Sequence, residues 1–453
     1  MTKSLSGLMA GATSTTWHNW ARTASATPHR SESPRDLPEL QAVVREGADQ
    51  HLRVRAVGAG HSFTPAAVTD GIHLHLDHLS GIEGVSRLPD GSAHVTVAAG
   101  TRLHQLNALL SAEGLAMRNL GDIDRQSVAG AISTGTHGTG ARLGGISTQV
   151  VGVRLVTATG DVVEASADEN PELFELGRLG LGTVGVLAAV TLHVVPAYRL
   201  EAREEPMRLL DVLDGLDDLA DGNDHFEFYW FPFTDRALTK RNNRVADDVV
   251  EPLSAARAWV DDELLSNRLF SGVNRLASAV PRITPALNNL SARGLSARRY
   301  TAPSHEVFIS PRRVVFREME YAVPREHLRG VLEEIDGWLR STSEPVPFPL
   351  EIRFAAADDL WLSTAHGRET AYVAVHQYAR MPHGRYFDAV EKIFAQVDGR
   401  PHWGKMHRLG AERFAELYPR FADAQRTRAA ADPTGVFANP YTDHVFGSRH
   451  TAG

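Results

Sequence analysis

The chain has 453 residues and no cysteine, and its 47 basic and 55 acidic residues give a net charge of −8 at pH 7. This length exceeds what one ordinary hydrophobic core organises, so two domains are expected. Without cysteine, disulfides, thiolate nucleophiles and Cys–zinc sites are excluded, and a cytoplasmic location is expected. The sequence has no basic run that would indicate a nucleic-acid partner. It also has no apolar run near the roughly 20 residues of a transmembrane helix.

The first strong strand of the chain ends in a glycine-rich turn. Residues 53–57 form a short, mostly apolar run, and Gly58-Ala59-Gly60-His61-Ser62-Phe63 follows directly. Glycines let backbone N–H groups approach an anion closely, and successive turn amides form a concave phosphate site. Taken by itself, however, the pattern favours an ordinary tight turn with His61 on the surface.

Three histidines crowd the next segment, Ile72–His78. Alternation predicts a strand whose isoleucine and leucines face a core, whereas His73, His75 and Asp77 face outward. This explanation is simpler than a metal site, so no metal is expected. Further along the chain, a helix is predicted with Thr101 as its cap and Gly114 at its end.

A long segment of small and hydroxylated residues follows within Gly121–Gly140. The part from Ser127 onward reads SVAGAISTGTHGTG. Such a segment buries little apolar area, and it is expected where backbone lies against a ligand or another backbone. A flexible loop is the alternative, although Val128 and Ile132 interrupt the segment as packed residues would.

The run Gly180–Gly185, GLGTVG, matches the dinucleotide pattern G-x-G-x-x-G. A Rossmann site needs a strand before that pattern and a helix after it. Here Val186–Val195 is rich in apolar, β-branched residues and predicts a strand instead. We therefore reject a Rossmann site, and we expect these glycines to allow close packing or contact with a bound group.

The pattern changes after Pro196. Pro324 is predicted to begin a helix whose core side carries Leu328 and Leu339, and a later helix ends at Gly399. Residues 250–300 are expected to be helical and exposed. Alternating strands are predicted at 224–232, 314–323, 350–354 and 371–378. Separate runs of strands and helices predict an antiparallel sheet with helices on one face.

Two polar groups stand out in this second region. Glu351 and Arg353 are two residues apart on a predicted strand and therefore face the same side. A solvated pair worth under about 1 kcal/mol is the simple interpretation. Lys405 follows a Trp-Gly turn, and without further context it is an ordinary surface residue.

Five motifs, in order, resemble the vanillyl-alcohol-oxidase-type FAD-linked oxidoreductases, in the branch of D-arabinono-1,4-lactone oxidase and L-gulono-1,4-lactone oxidase or dehydrogenase. The resemblance covers Trp17–Gly447. Its motifs are GAGHSF at 58–63, STGTHGTG at 133–140, EIR at 351–353, HWGK at 402–405 and DPTGVFANPY at 432–441.

The resemblance implies an α+β fold, with a two-subdomain FAD-binding domain of the PCMH type and a cap domain built on an antiparallel sheet and helices. It implies the FAD-binding domain over residues 17–198, and residues 1–16, which are small and polar, are expected to form a loose tail. The substrate (cap) domain would span 199–407. A C-terminal segment, 408–453, would return to the FAD domain.

The resemblance also implies an activity and the residues that carry it. FAD would be bound covalently through His61, and hydride would pass from a CH–OH group of a sugar lactone to flavin N5. Oxygen or another acceptor would reoxidise the flavin. Glu351, Arg353 and Lys405 would be catalytic and bind substrate, with His376 as a weaker substrate contact.

The diphosphate is expected on the backbone amides of residues 58–62, with Ser133–Gly140 packed along the cofactor. The implied cofactor-binding residues are Val57, Gly58, Ala59, Gly60, His61, Ser62, Phe63, Gly121, Asp122, Ser127, Gly130, Ser133, Thr134, Gly135, Thr136, His137, Gly138, Gly140, Val186 and Lys405.

Three other functions are possible interpretations of parts of this sequence. A lactonase needs a metal cage or a nucleophile, and the sequence shows no such constellation. A non-catalytic flavin protein could retain His61, but the joint presence of Glu351, Arg353 and Lys405 argues against it. An alditol oxidase acting on xylitol or sorbitol shares the motifs and stays open.

Overall fold

The computed structural model describes residues 16–246, 248–253, 270–310 and 314–448. Predictions for the tail before residue 16 and for residues 254–269 lie outside the described residues. None of the helices in the described ranges is long and apolar enough to cross a membrane.

The strands of the described chain fall into four sheets. In chain order they are β1 (Trp17–His18), β2 (Ser25–Ala26), β3 (Arg30–Glu32), β4 (Val54–Val57), β5 (Ile72–His75), β6 (Ile82–Arg87), β7 (Ala93–Ala98), β8 (Leu115–Ala116), β9 (Val150–Val156), β10 (Val162–Ser166), β11 (Val186–Pro196), β12 (Arg199–Arg208), β13 (His225–Trp230), β14 (Arg236–Val245), β15 (Arg298–Pro303), β16 (Phe316–Pro324), β17 (Leu350–Ala355), β18 (Thr370–Tyr378) and β19 (Arg400–Pro401).

The helices cover and connect these sheets. In chain order they are α1 (Leu37–Asp49), α2 (Leu103–Ala112), α3 (Val128–Ser133), α4 (Pro171–Arg178), α5 (Leu209–Asp214), α6 (Leu216–Asp221), α7 (Phe270–Ala279), α8 (Thr284–Arg293), α9 (Ser304–Phe308), α10 (Leu328–Thr342), α11 (Gly384–Ala395), α12 (Ala411–Leu417), α13 (Phe421–Ala431) and α14 (Pro440–Phe446).

The first half of the chain builds three sheets, of which the smallest is the antiparallel pair of β1 and β2. Strands β3, β5 and β4 pair in parallel in that order, and β10-β9-β11-β7-β6 form an antiparallel sheet to which β8 is attached through β11. Strands β9 and β10 form a hairpin with antiparallel register. The predicted strand after the GLGTVG run is confirmed as β11, so that run lacks the helix of a Rossmann site.

The second half builds one eight-stranded sheet in the order β15-β12-β14-β13-β17-β18-β16-β19, with antiparallel pairing throughout. One face is apolar and packs on α5, α6, α10 and α11, and Phe226, Ile352 and Val373 lie at its centre. The predicted α+β class, with helices on one face of an antiparallel sheet, is confirmed. The opposite face is polar and is turned toward the first half of the chain.

The end of the chain packs against its beginning. The core that contains β4, β5, β7 and β11 also contains Phe414, Tyr418, Phe437 and Phe446 from the last three helices and their connections. In addition, the Val54 N–H donates to the Val436 carbonyl oxygen at 2.7 Å. Residues far apart in sequence therefore complete one core.

Three sequence predictions need correction. His73 is fully buried rather than outward-facing, because β5 is the central strand of the parallel sheet and is covered on both faces. Pro324 ends β16, and the helix begins four residues later at Leu328, although Leu328 and Leu339 are buried as predicted. Helix α2 is capped by Arg102 rather than Thr101, whose hydroxyl donates to the Ala98 carbonyl oxygen instead.

Candidate active site

A deep cleft lies where β4 runs into the glycine-rich turn. It contains about 960 Å³ of empty space, part of it open to solvent. We call it the glycine-loop cavity. The turn at 58–62 forms one wall, α3 with its cap Ser127 forms a second, and Leu181, Gly182 and Gly185 of the GLGTVG run line a third.

The chemistry of this lining fits an anionic dinucleotide. None of its described lining residues is acidic, and Arg55 and His61 are the two basic ones. Gly60 adopts φ +69°, which a side chain disfavours. A Cβ on Gly58 would lie 2.5 Å from the Ser127 hydroxyl oxygen, so only glycine lets the turn approach α3 this closely. The lining residues thus fit FAD, with backbone amides and hydroxyls available to its phosphates.

Arg55 links the chain segments that form the wall of the glycine-loop cavity. Its guanidinium is buried and donates to the carbonyl oxygens of Ala66, Leu181, Gly182 and Phe437, at 2.6 to 3.3 Å. These four carbonyls belong to three separate segments of the chain. One arginine therefore fixes the positions of three segments, the most distant of which lies 382 residues from it in the sequence.

His61 lies where the glycine-loop cavity meets a second, inner cavity. His61, Ser62, Gln126 and Thr134 line both spaces. The imidazole stacks on Trp20, with 5.7 Å between ring centroids. Burial, aided by the positive charge of Lys405, lowers the pKa of His61 to about 4. The ring is therefore neutral at physiological pH, and a ring nitrogen has a lone pair available.

The inner cavity contains about 690 Å³ of empty space and lies between the glycine loop and the polar face of the large sheet. Its lining is strongly charged. Glu318 and Glu320 come from β16, Glu351 and Arg353 from β17, and Lys405 from the loop after β19. A polyhydroxylated ligand would find both hydrogen-bond donors and acceptors here.

The sheet register sets these charges side by side. Glu227 of β13 lies opposite Arg353 on one side and Lys240 on the other. Arg353 Nε is 2.9 Å from Glu227 Oε2, Arg353 Nη2 pairs with Glu351, and Lys240 Nζ is 3.5 Å from Glu227 Oε1. The Tyr229 hydroxyl lies 3.2 and 3.1 Å from the carboxylates of Glu227 and Glu351. Arg353 is thus clamped between two carboxylates.

Lys405 lies at the other end of this series of charged side chains. Its ammonium pairs with Glu318 and lies over the Phe63 ring at 5.2 Å. Burial lowers the pKa of Lys405, but Glu318 and Glu320 outweigh burial and raise the pKa overall. Burial likewise opposes ionisation of Glu318, yet Lys405 and His376 hold the pKa of that carboxyl well below its usual range. Opposite charges therefore keep one another ionised.

Two sequence interpretations of these groups are corrected. Glu351 and Arg353 do share one face, as predicted, but both are buried rather than a solvated surface pair. Lys405 is not a surface residue, because its side chain is largely enclosed between Glu318 and Phe63. The physical reason is that the first half of the chain covers the polar face of the sheet.

The structure places most of the residues named from the sequence on one of the two cavities. Those on the glycine-loop cavity are Val57, Gly58, Ala59, Gly60, His61, Ser62, Ser127, Gly130, Ser133, Thr134 and Val186. Those on the inner cavity are His61, Ser62, Phe63, Gly121, Asp122, Thr134, Thr136, His137, Glu351, Arg353 and Lys405.

Four of the named residues line neither cavity. Gly138 is needed for packing, because a Cβ there would lie 2.2 Å from the Leu120 carbonyl oxygen. The Gly140 N–H donates to the Phe354 carbonyl oxygen and joins the loop to β17. Gly135 and His376 also lie outside both linings. Of the stretch Ser133–Gly140, four residues line one of the two cavities, namely Ser133, Thr134, Thr136 and His137, whereas the three glycines line neither.

Sequence reasoning missed several of the charged residues that line or adjoin the inner cavity. Glu318 and Glu320 alternate on one strand as Glu351 and Arg353 do, and that signal could have found them. Glu227 and Lys240 gave no local signal, because their role comes from register across strands more than a hundred residues from Arg353.

Three histidines near these charged residues differ in the hydrogen bonds that their ring nitrogens make. His137 Nδ1–H donates to the Gly138 carbonyl oxygen at 2.9 Å, and its Nε2 faces Glu320 Oε1 at 3.2 Å. His376 Nδ1–H donates to the Pro349 carbonyl oxygen at 3.2 Å. His402 is the opposite case, because the Gly404 N–H donates to its Nδ1 at 3.0 Å. Burial lowers the pKa of His402 to about 3, so this ring is neutral.

His137, Glu320 and His402 are also the one group in the described ranges whose ligand atoms converge as for a metal, all within 4.8 Å. The hydrogen bonds oppose that use. His402 accepts at Nδ1, so its Nε2 carries the proton and is not free to bind a cation. The histidine-rich strand β5 forms no such group, since His73 Nε2 bonds instead to the Ala67 carbonyl oxygen at 2.8 Å.

Comparison with known proteins agrees with this geometry. Residues 30–166 match the FAD binding domain family, and residues 190–445 match the D-arabinono-1,4-lactone oxidase family. The fold and the two cavities define an FAD-dependent oxidoreductase with a PCMH-type FAD-binding domain. The chain belongs to the D-arabinono-1,4-lactone oxidase family.

Relatives of known name cover nearly the whole chain. L-gulono-1,4-lactone dehydrogenase of Mycobacterium tuberculosis (strain ATCC 25618 / H37Rv) is 39% identical over 95% of this chain and 99% of its own length. L-gulonolactone oxidase of Scyliorhinus torazame is 32% identical over 95% and 98%. Among solved structures, cholesterol oxidase from B. sterolicum has a TM-score of 0.79 at 17% identity, covering 95% of this chain and 96% of its own, and therefore shares the fold.

Proposed function

We propose that this protein oxidises a CH–OH group of a sugar-1,4-lactone of the L-gulono- or D-arabinono- type, with FAD as the hydride acceptor. The observation that carries the proposal is that two cavities of different chemistry share His61 in their linings. One suits an anionic dinucleotide, and the other offers carboxylates and cations to a polyhydroxylated substrate. The names of the relatives support this class of substrate.

The charged residues that line the inner cavity supply the groups that the oxidation needs. The substrate carbon loses a hydride and its hydroxyl loses a proton, which leaves a carbonyl. FAD bound in the glycine-loop cavity would supply the acceptor for that hydride. Arg353 and Lys405 place positive charge where the departing hydroxyl proton leaves negative charge on oxygen. Glu351 accepts hydrogen bonds from substrate hydroxyls and orients them.

We also propose that His61 carries the flavin covalently. Its imidazole is neutral, is buried at the junction of the cavities, and is held against Trp20. A neutral ring nitrogen is the form that can bond to the cofactor. Precipitating the purified protein with acid should leave flavin in the pellet. Flavin found entirely in the supernatant would contradict the covalent bond.

The substrate class is tested by anaerobic reduction of the bound flavin. L-gulono-1,4-lactone and D-arabinono-1,4-lactone are compared with xylitol and sorbitol, and the loss of visible flavin absorbance is followed. We expect a lactone to reduce the flavin fastest. Faster reduction by xylitol or sorbitol would make the protein an alditol oxidase, and no reduction by either lactone would overturn the proposal.

The electron acceptor is tested in the same samples. After reduction by the lactone, reoxidation is measured with oxygen and separately with an artificial dye. Rapid reoxidation by oxygen defines an oxidase, and reoxidation by the dye alone defines a dehydrogenase. The wild-type protein without substrate, kept under the same light and temperature, is the control for photoreduction.

A further inference from the structure

Two ion pairs of the large sheet follow one another across three neighbouring strands and end at the inner cavity. Glu227 on β13 lies opposite Lys240 on β14 and opposite Arg353 on β17. Arg353 lines the inner cavity, whereas Glu227 and Lys240 lie outside the linings of both cavities. Lys240 therefore does not reach a substrate in that cavity, and an effect on the substrate must pass through Glu227 or act from a distance.

Lys240 is held on two sides. Its Nζ donates to the Val307 carbonyl oxygen at 3.2 Å and lies 3.5 Å from Glu227 Oε1. Only 7% of the residue is exposed, and lysine is rarely buried to this extent unless its charge is paired. On the other neighbouring strand, β12, the residue opposite is Glu204, which makes two contacts of 2.7 Å with Arg298. The ammonium is thus confined between a carbonyl oxygen and the Glu227 carboxylate.

The two oxygens of Glu227 have different partners. Oε2 is 2.9 Å from Arg353 Nε, whereas Oε1 faces Lys240 Nζ and, at 3.2 Å, the Tyr229 hydroxyl. That hydroxyl also lies 3.1 Å from Glu351, and its single hydrogen can be donated to only one carboxylate at a time. Lys240 is therefore the contact that engages Oε1 whichever way the tyrosine hydroxyl points.

Contacts at both oxygens fix the plane of the Glu227 carboxylate. A carboxylate held at one oxygen can rotate about its last side-chain torsion, which has a broad energy profile. With Oε1 held by Lys240, Oε2 stays directed at Nε of Arg353. Because a guanidinium is planar, a fixed contact at Nε also fixes the directions of its remaining N–H groups.

Stability alone gives little reason for a buried ion pair between Lys240 and Glu227. The desolvation of two buried charges can cost more than their attraction returns, and apolar residues of similar volume often replace such a pair without loss of stability. Arg353, by contrast, lines the inner cavity, where its charge acts on the substrate oxygen under the proposed function. The position of that charge is the property that the buried lysine maintains.

We propose that Lys240 is a positioning residue for the oxidation, which holds the Glu227 carboxylate so that Arg353 keeps its place in the inner cavity. The proposal rests on the proposed function, because the rate that it concerns is the rate of flavin reduction by the lactone. Removing the lysine charge should displace Arg353, and it takes no group out of the cavity itself.

The first measurement is anaerobic flavin reduction by L-gulono-1,4-lactone in Lys240→Met, which keeps a long side chain and removes its charge. We expect the reduction rate to fall roughly tenfold, less than the ~10²–10³ that loss of a direct donor causes. FAD content should stay unchanged, and the dissociation constant of the lactone should change less than about twofold, because a charge aimed at the transition state affects rate more than binding. Lys240→Arg, which keeps the charge, should retain most of the wild-type rate.

A double-mutant cycle separates an effect through Glu227 from a direct effect of the lysine charge. Lys240 lies two strands from Arg353, ~10 Å at the usual strand spacing, and a unit charge can act over that distance. If Lys240 acts through Glu227, Lys240→Met should cost nothing further in a Glu227→Gln protein. A further tenfold loss in that background would overturn the proposal.

Glu204→Gln is the matched control background, because Glu204 lies opposite Lys240 on its other neighbouring strand. There Lys240→Met should keep its full effect on the rate, and disappearance of that effect would overturn the proposal. The comparison of Glu227→Gln with the Lys240→Met/Glu227→Gln double variant also serves if Lys240→Met alone does not fold, since the double variant removes both buried charges together.

The position of Arg353 is measured directly and without substrate. Crystal structures of the wild-type and Lys240→Met holoenzymes give the distance from Arg353 Nε to Glu227 Oε2, which is 2.9 Å with Lys240 in place. We expect this contact to be broken, or the guanidinium to occupy more than one position, in the variant. An Arg353 side chain that stays in one place would overturn the proposal, whatever the rate.

These outcomes are separable from failure of the proposed function. If no lactone reduces the flavin but Arg353 is displaced in Lys240→Met, the positioning of Arg353 by Lys240 stands and the substrate assignment fails. If a lactone reduces the flavin equally fast in the wild type and in Lys240→Met, the substrate assignment stands and Lys240 has no positioning role.

Discussion

At the scale of single residues, the position of Arg353 explains why an arginine rather than a lysine stands there. Its guanidinium reaches Glu227 through Nε and Glu351 through Nη2, and a planar fork can meet both carboxylates at once. Burial lowers the pKa of Arg353, but Glu351, Glu227 and Asp122 more than offset burial. A lysine would keep the charge and lose one of the two contacts.

We predict that Arg353→Lys slows anaerobic flavin reduction by the lactone by ~10²–10³ and leaves FAD content unchanged, because removal of one well-placed donor has that effect. Stopped-flow absorbance measures the rate. Arg298→Lys is the matched control, since Arg298 makes a similar two-point contact with Glu204 at 2.7 Å on β15, the strand at the edge of the same sheet. An equal loss of rate in both variants would contradict a specific role for Arg353.

Glu320 gives a prediction about acid stability. Its pKa of about 2 in the folded protein lies below the ordinary value of 4.5, so the folded state binds this proton less readily than the unfolded state. The resulting stability, about 3 kcal/mol, is present above pH 4.5 and is lost as the pH falls toward 2.

Glu320→Gln should therefore flatten the decline in unfolding free energy between about pH 4.5 and 2. Urea unfolding at several pH values measures this slope. Glu326→Gln changes an exposed carboxylate and should leave the slope as in the wild type. A slope in Glu320→Gln equal to that of the wild type would show that the carboxylate is protonated in the folded protein.

At the scale of elements, sequence patterns predicted most strands and helices because hydrophobic periodicity is local. The apolar positions of α10 and the existence of β17 and β18 were predicted correctly. His73 was misplaced because a strand covered on both faces does not follow the alternation of a half-exposed one. Glu227 and Lys240 could not be found, since their neighbours are fixed by sheet order, which no short stretch of sequence encodes.

Gly138 and Gly330 show that glycine has different roles in a packed loop and in a helix. A Cβ at Gly138 would lie 2.2 Å from a backbone oxygen and 2.4 Å from the Asn119 side chain, whereas a Cβ at Gly330, inside α10, would meet nothing within 4 Å. We predict that Gly138→Ala destabilises the protein and that Gly330→Ala stabilises it by about 0.5–1 kcal/mol.

Urea unfolding of both variants, with FAD content measured beside it, tests this pair. Gly138→Ala should also lower FAD content, because the loop that contains it joins the two cavities. A Gly138→Ala protein as stable as the wild type would mean that the loop has room to move away from Leu120.

At the scale of the whole molecule, the two halves of the chain make different cavities that share one boundary. Binding of FAD only to the folded state stabilises that state in proportion to free FAD. A covalently bound cofactor cannot dissociate, so adding free FAD should not raise the melting temperature of the wild-type holoenzyme.

His61→Ala should behave differently. We predict that its melting temperature rises with added FAD, by an amount that follows the mass-action relation, about 2.7 kcal/mol of stabilisation at 100 times the dissociation constant. Differential scanning fluorimetry measures both proteins. A wild type whose melting temperature depends on free FAD in the same way would contradict the covalent bond.

The contacts of Arg55 also bear on how the protein is made. Its guanidinium joins the wall beside β4 to the carbonyl of Phe437, 382 residues later in the sequence, so during translation the cleft stays incomplete until residue 437 has left the ribosome. We predict that ribosome-bound chains stalled at about residue 430 retain no flavin, whereas chains released at full length acquire it. Flavin retained by the stalled chains would show that the cofactor loads before the last segment arrives.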